Sequence, residues 1–234
     1  MNLFSQGLRS GIPIGLGYFS VSFAFGIMAV EGGLSVWQAV LISMTNMTSA
    51  GQFAGLFIMF QQGSLLEMAL AQLTINLRYA LMSISLSQKM DSAMTGGRRA
   101  FFAFCNTDEI FAVSSSQKGE LAFSFLLGLM VLPYLGWSLG TLAGAAAGSV
   151  LPEAIRQALG IAIYGMFLAI ILPPARRHKP VRLAVILAAL LACFIHYVPP
   201  FNKISDGFAI IICAVAISAL AAWRFPLAEG EETA

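Results

Sequence analysis

The sequence predicts an all-α integral membrane protein: a bundle of about seven transmembrane helices with a broken helix at the midplane and an interfacial or re-entrant segment. Three observations carry this. Of 234 residues, 58% are hydrophobic and 10% charged, against about 25% charged in soluble domains. Several apolar runs reach the roughly 20 residues that cross a bilayer. The runs lack period-two alternation, and backbone groups in lipid find no water, so helices are the remaining solution.

Seven apolar segments are expected, at 11–31, 36–60, 65–87, 121–149, 155–173, 183–200 and 206–223. In the first, Pro13 sits near the helix start, where proline is tolerated, and Gly11 and Gly15 offer a small contact surface. The second carries Thr45, Asn46, Met47, Thr48, Ser49, Ala50, Gly51 and Gln52 at its midpoint. Amide side chains need partners there and Gly51 weakens the helix, which predicts a break at the midplane.

The third segment places Gln72, Asn76, Tyr79 and Ser83 on one face by their spacing, with Thr74, Arg78 and Ser85 on roughly the opposite side. A helix polar on two sides belongs in the centre of a bundle. Residues 88–120 hold Lys89, Arg98, Arg99 and Lys118 around a semi-apolar piece at 100–117. That piece contains Asp108 and Glu109, so it is expected to be interfacial or re-entrant rather than a span. The fourth segment repeats glycine every four residues, at Gly136, Gly140, Gly144 and Gly148, which predicts close helix contact within the chain or with a partner. Pro133 should kink it.

Residues 1–228 read as one polytopic domain and 229–234 (EGEETA) as a short acidic tail. No internal repeat is visible, and the first ten residues do not suggest a cleavable signal. Basic residues cluster at 88–118 and 174–182, and both clusters belong in the cytoplasm. Seven spans then put the amino terminus outside, together with Arg9, Arg156 and Lys203. If 36–60 were instead a re-entrant hairpin, the amino terminus and Arg9 would return inside. The seven-span arrangement is the expectation.

A broken helix at mid-membrane, offering backbone groups and a half-helix amino terminus, is how many secondary transporters hold substrate. The polar cluster therefore nominates Asn46, Thr48, Ser49 and Gln52 as substrate-binding, and the third segment adds Asn76, Arg78 and Tyr79. Arg78 lies about 3 Å from the midpoint of its segment. Leaving it unpaired there costs about 2.5–3.5 kcal/mol on insertion scales. Two roles stay open: a bidentate grip on a substrate carboxylate, or an ion pair with Asp108 or Glu109.

Several classes are set aside. Cys105, Cys193 and Cys213 lack disulfide or metal-ligand spacing, and His178 and His196 stand apart. The sequence contains no hydrolase, zinc or phosphate-loop motif, so neither an enzyme nor a cofactor or metal is expected. The short charged stretches do not suggest nucleic acid. A channel subunit for small polar solutes is the alternative to a gradient-driven transporter.

The chain resembles the AzlC family, the larger subunits of branched-chain amino acid exporters. Its markers are Gly11-Ile12-Pro13-Ile14-Gly15, then Phe25-Gly26, Ser43 through Gln52-Phe53, and Asn76-Leu77-Arg78-Tyr79. Thr107-Asp108-Glu109 with Phe111, and Trp137 with the glycine ladder, complete them. The resemblance implies export of leucine, isoleucine, valine or analogues across the cytoplasmic membrane. It also implies a small hydrophobic partner of the AzlD type, for which the glycine ladder is a candidate surface. For a zwitterion with an apolar side chain, Arg78 or the broken-helix amides are candidate carboxylate anchors. Asn46, Gln52, Asn76 or a free carbonyl are candidates for the ammonium.

Overall fold

The computed structural model describes residues 2–91, 94–148 and 171–225, with positions 152, 154, 165 and 168 between the last two stretches. Nine α-helices are delimited among these residues: α1 (Leu3–Glu31), α2 (Val36–Thr45), α3 (Ser49–Phe60), α4 (Leu65–Ser87), α5 (Gly96–Phe104), α6 (Asp108–Ser116), α7 (Phe123–Gly148), α8 (Lys179–Tyr197) and α9 (Asp206–Arg224). Of the described helices, α1, α7, α8 and α9 are long and apolar enough to cross a membrane. The α4 helix has the length but carries polar residues on two sides. The span expected at 155–173 lies largely outside the described residues, and the tail at 229–234 entirely so. Two compact units result, Met1–Leu56 with Asn76–Ile163 and Phe57–Ile75 with Tyr164–Ala234.

The first unit is organised around α1 and α7. Gly7 abuts Phe125 and Leu129, Gly11 abuts Leu129 and Pro133, and Gly26 abuts Thr141 and Ala145. Residue numbers rise together along both helices, so they run parallel. From the other side Gly128 meets Phe4 and Leu8, Gly136 meets Gly15, Gly140 meets Phe19 and Ser22, and Gly144 meets Phe23. Small residues on both helices bring the backbones into direct contact. The glycine ladder is therefore covered by α1 of the same chain, which removes it as a surface for a partner subunit.

The polar run of the second segment breaks the helix as its composition predicts. Ser35 and Gln38 form a capping box that starts α2. Asn46 is extended (φ −143°, ψ 112°), and its Oδ1 accepts from the Thr48 N–H at 3.1 Å, an Asx turn that restarts the chain as α3. The chain then doubles back. Gln52 Nε2 donates to the Asn46 carbonyl (2.6 Å) and the Ser43 hydroxyl (3.3 Å), which no straight continuation permits. Phe53 stacks edge-on against Phe25 of α1 (5.6 Å), toward the end where α2 begins. Thus α2 and the Ser49–Leu56 part of α3 form a re-entrant hairpin with its tip at Asn46, Met47 and Thr48.

A second hairpin enters from the other end. Arg99 Nη1 donates to the Ser87 carbonyl (2.9 Å) and Arg98 lies over Phe123, so α5 starts beside the end of α4 and the start of α7. Lys89 Nζ donates to the carbonyls of Ser115 and Gln117, which brings the end of α6 back to the same place. Between them, Cys105, Asn106 and Thr107 form the tip. Asn106 Nδ2 donates to Ser83 Oγ (2.9 Å), and the Tyr18 hydroxyl lies 2.5 Å from Thr107 Oγ1. The piece expected at 100–117 is thus two short helices in a re-entrant hairpin. A long helix followed by a hairpin occurs twice, in opposite directions, an arrangement the sequence alone does not reveal.

This geometry corrects the expected orientation. The start of α1 lies beside the start of α7, at the end that carries Lys89, Arg98 and Arg99. Arg9 therefore joins that basic end, as the hairpin alternative requires. A topology experiment checks it. In a chain freed of its native cysteines, an impermeant maleimide applied to intact cells is expected to label Gly32→Cys but neither Leu3→Cys nor Lys118→Cys. Labelling of Leu3→Cys with protection of Gly32→Cys would restore the seven-span order.

In the second unit, α8 and α9 pair through a 3-10 turn at Phe201–Lys203. Glu67 is 4% exposed, and its carboxylate accepts from the Ser205 hydroxyl at the start of α9. Gln61 donates to Asp206 alongside. A carboxylate at a helix amino terminus meets unsatisfied N–H groups and the positive end of the dipole.

Candidate functional site

The two hairpin tips meet within the first unit. Between them is a cavity of about 220 Å³ lined by Met47, Thr48, Asn76, Tyr79, Ala103, Phe104, Asn106 and Thr107. The first tip contributes Met47 and Thr48 and the second Asn106 and Thr107, each at a point where the backbone leaves the helix. Such a point frees amides on one side and carbonyls on the other.

The first tip is fixed by a directed chain of hydrogen bonds. Gln52 Nε2 reaches Ser43 Oγ, which lies 2.6 Å from Thr141 Oγ1, and Thr141 donates to the Trp137 carbonyl (3.1 Å). Gln52 is 2% exposed, and Ser43 and Thr141 are fully buried. Three carbonyls around the end of α2 are occupied as well. Met44 accepts from the Tyr134 hydroxyl (3.2 Å), Ile42 from the Asn46 N–H, and Asn46 from Gln52. What the tip presents to the cavity is the Thr48 hydroxyl, whose buried oxygen has no partner.

The second tip is held by charge. Arg78 Nη1 pairs with Asp108 Oδ2 at 2.9 Å, and Nη2 donates to the Tyr79 hydroxyl at 3.0 Å. Tyr18, stacked edge-on against Trp137 at 5.2 Å, donates to the Glu109 carboxylate. Both acids lie in the first turn of α6, where they complement its dipole. Asn106 is 3% exposed, and its Oδ1 is buried without a partner while its Nδ2 is held by Ser83. Such an orphaned acceptor costs about 1–3 kcal/mol unless something fills it.

Of the residues nominated from sequence, Thr48, Asn76 and Tyr79 line the cavity. Asn46 and Gln52 shape the tip behind it, and Ser49 opens α3. Arg78 is not among the cavity-lining residues; its guanidinium is engaged by Asp108 and Tyr79, the pairing left open by the sequence. Asp108 takes the ion-pair role, whereas Glu109 binds Tyr18. Sequence reasoning missed Tyr18, Asn106 and Thr107. A second asparagine flanked by apolar stretches, echoing Asn46, was the available signal.

The sequence pattern described as AzlC protein matches residues 13–151, more than half of the chain. The chain belongs to the AzlC family. The match takes in both hairpins, all of the cavity lining and the whole of α7. Among AzlC relatives, an "Uncharacterized membrane protein" of Archaeoglobus fulgidus is 36% identical over 225 residues, 94% of this chain and 95% of its own. "Inner membrane protein YgaZ" of Escherichia coli strain K12 is 27% identical over 196 residues, 81% of this chain and 80% of its own. An "Uncharacterized membrane protein" of Helicobacter pylori is 24% identical over 201 residues. No solved structure matches the chain.

Proposed function

We propose that this AzlC protein is the larger subunit of a secondary transporter that exports branched-chain amino acids across the cytoplasmic membrane, with a small hydrophobic partner subunit of the AzlD type. The observation that carries this reading is the cavity itself. It lies between two re-entrant tips that enter from opposite ends, so each hairpin bounds it from one side. A site shared by two oppositely directed halves suits alternating access, in which one closure opens while the other holds. Its volume suits a small solute rather than a drug-sized ligand. Met47, Ala103, Phe104 and the Tyr79 ring supply an apolar wall, and Thr48, Asn76, Asn106 and Thr107 supply polar groups.

The test is efflux of preloaded radiolabelled leucine from cells expressing this chain alone, the partner alone, both or neither. Both subunits together are expected to speed leucine loss, with competition by isoleucine and valine. Equal retention in all four strains sinks the amino acid assignment.

A further inference from the structure

We infer that the basic end of the α8–α9 pair binds an anionic phospholipid of the cytoplasmic leaflet, with its phosphate among the arginines and an acyl chain in the cleft between the helices. The site lies within the second unit and is independent of the solute carried. The two helices are joined at one end by the turn at Phe201–Lys203. At the other end the start of α8 lies beside the end of α9, and two clefts of about 180 and 460 Å³ flank the pair. Both are lined by Pro180, Ala184, Ala221 and Phe225. The first continues along Leu183, Leu187 and Leu220, the second along Val181, Val185 and Ala222. Alanine on each helix, at 184 and 221, leaves the room. Arg224, its guanidinium over the Phe225 ring at 5.4 Å, stands in the lining of the first cleft.

Charge is sorted along the pair. Arg176, Arg177, Lys179, Arg182 and Arg224 are all exposed at the cleft end, and none of them forms an ion pair among the described residues. The first turn of α8 contains no acid. The described acids of this unit, Glu67 and Asp206, meet at the start of α9, the opposite end. The basic segment belongs in the cytoplasm, where the leaflet is anionic. Trp223, exposed beside Arg224, suits the level of the headgroups. Membrane orientation requires these charges but no cleft, and a soluble anion requires them but no apolar lining. A phospholipid matches both, and basic pockets between membrane helices on the cytoplasmic side suit its headgroup.

Native mass spectrometry of the purified full-length chain, incubated in detergent with dioleoyl phosphatidylglycerol or dioleoyl phosphatidylcholine, tests this. Phosphatidylglycerol is expected to be retained at roughly tenfold lower concentration than phosphatidylcholine. Arg182→Gln together with Arg224→Gln, both at exposed side chains, should remove the preference, while Lys203→Gln at the acidic end keeps it. Ala184→Phe fills the clefts and leaves every cation in place; it is expected to weaken phosphatidylglycerol retention about tenfold. Ala184→Leu is the milder substitution should phenylalanine prevent accumulation. Equal retention of the two lipids overturns the proposal and leaves the clefts to another membrane helix. Loss in the arginine variant with full retention in both Ala184 variants also overturns it, because surface charge alone would then hold the headgroup. Displacement of the lipid by glycerol 3-phosphate would make this a site for soluble phosphate instead.

Discussion

Replacing Gly144 with leucine is expected to abolish accumulation of folded protein. A Cβ at this position runs into the Phe23 carbonyl oxygen and lies 2.7 Å from the carbonyl carbon and 2.9 Å from its Cα. These are backbone atoms of a neighbouring helix, so no side chain can swing aside. Relief requires α1 and α7 to separate, which also opens the contacts at Gly136, Gly140 and Gly26. Overpacking in ordinary cores costs about 1–3 kcal/mol, where side chains share the strain. Gly144→Ala is therefore expected to destabilise by at least the upper part of that range. Gly17→Ala is the control, because its Cβ meets nothing within 4 Å and alanine favours the helix. Size-exclusion profiles in detergent and thermal melts of the three variants measure the effect. Normal melting of Gly144→Ala would mean that the α1–α7 contact is looser than described.

Arg78→Ala alone, and Asp108→Ala alone, are each expected to cut leucine efflux at least tenfold, while the double substitution recovers most of it. The reason is the 2.9 Å ion pair linking α4 to the first turn of α6. Removing one partner strands the other charge within a membrane protein, which costs more than losing both. Both side chains retain about half their exposure within this chain, 49% and 45%, so the coupling is smaller than for a fully buried pair. A double-mutant cycle on efflux, at matched membrane abundance, isolates it. If Arg78 instead gripped the substrate carboxylate, removing Asp108 as well would not restore transport. A double variant as inactive as Arg78→Ala would return the arginine to the binding site.

Much of this could be read along the chain because its signals are local. The break after Thr45 follows from amide and hydroxyl residues placed where a lipid-embedded helix would be apolar. Asn46 then supplies the Asx turn that restarts the helix. The two polar sides of α4 were legible from their spacing, and the structure uses them separately. Asn76 and Tyr79 face the cavity and Ser83 holds Asn106, whereas Arg78 takes Asp108. Tyr18 was not legible, and Asn106 only by its likeness to Asn46 as an asparagine between apolar stretches. A lone tyrosine in an apolar helix, or a lone asparagine in a semi-apolar stretch, becomes part of a site only when distant segments meet.

The amino-acid sequence by itself determined the membrane environment, the helical class, the broken second segment and the intimacy of the glycine-lined helix contact. Each depends on residue type and spacing over fewer than about 30 positions, a range in which lipid solvation and helix geometry dictate the outcome. Tertiary structure alone decided the direction of the chain after Thr48, the identity of the helix against Gly144 and the partner of Arg78. A break in a helix leaves free whether the chain continues or turns back. That choice is made by contacts such as Gln52 to Ser43 and Phe53 to Phe25, between residues whose separation carries no periodic signal. The same turn-back, made twice from opposite ends, creates the cavity.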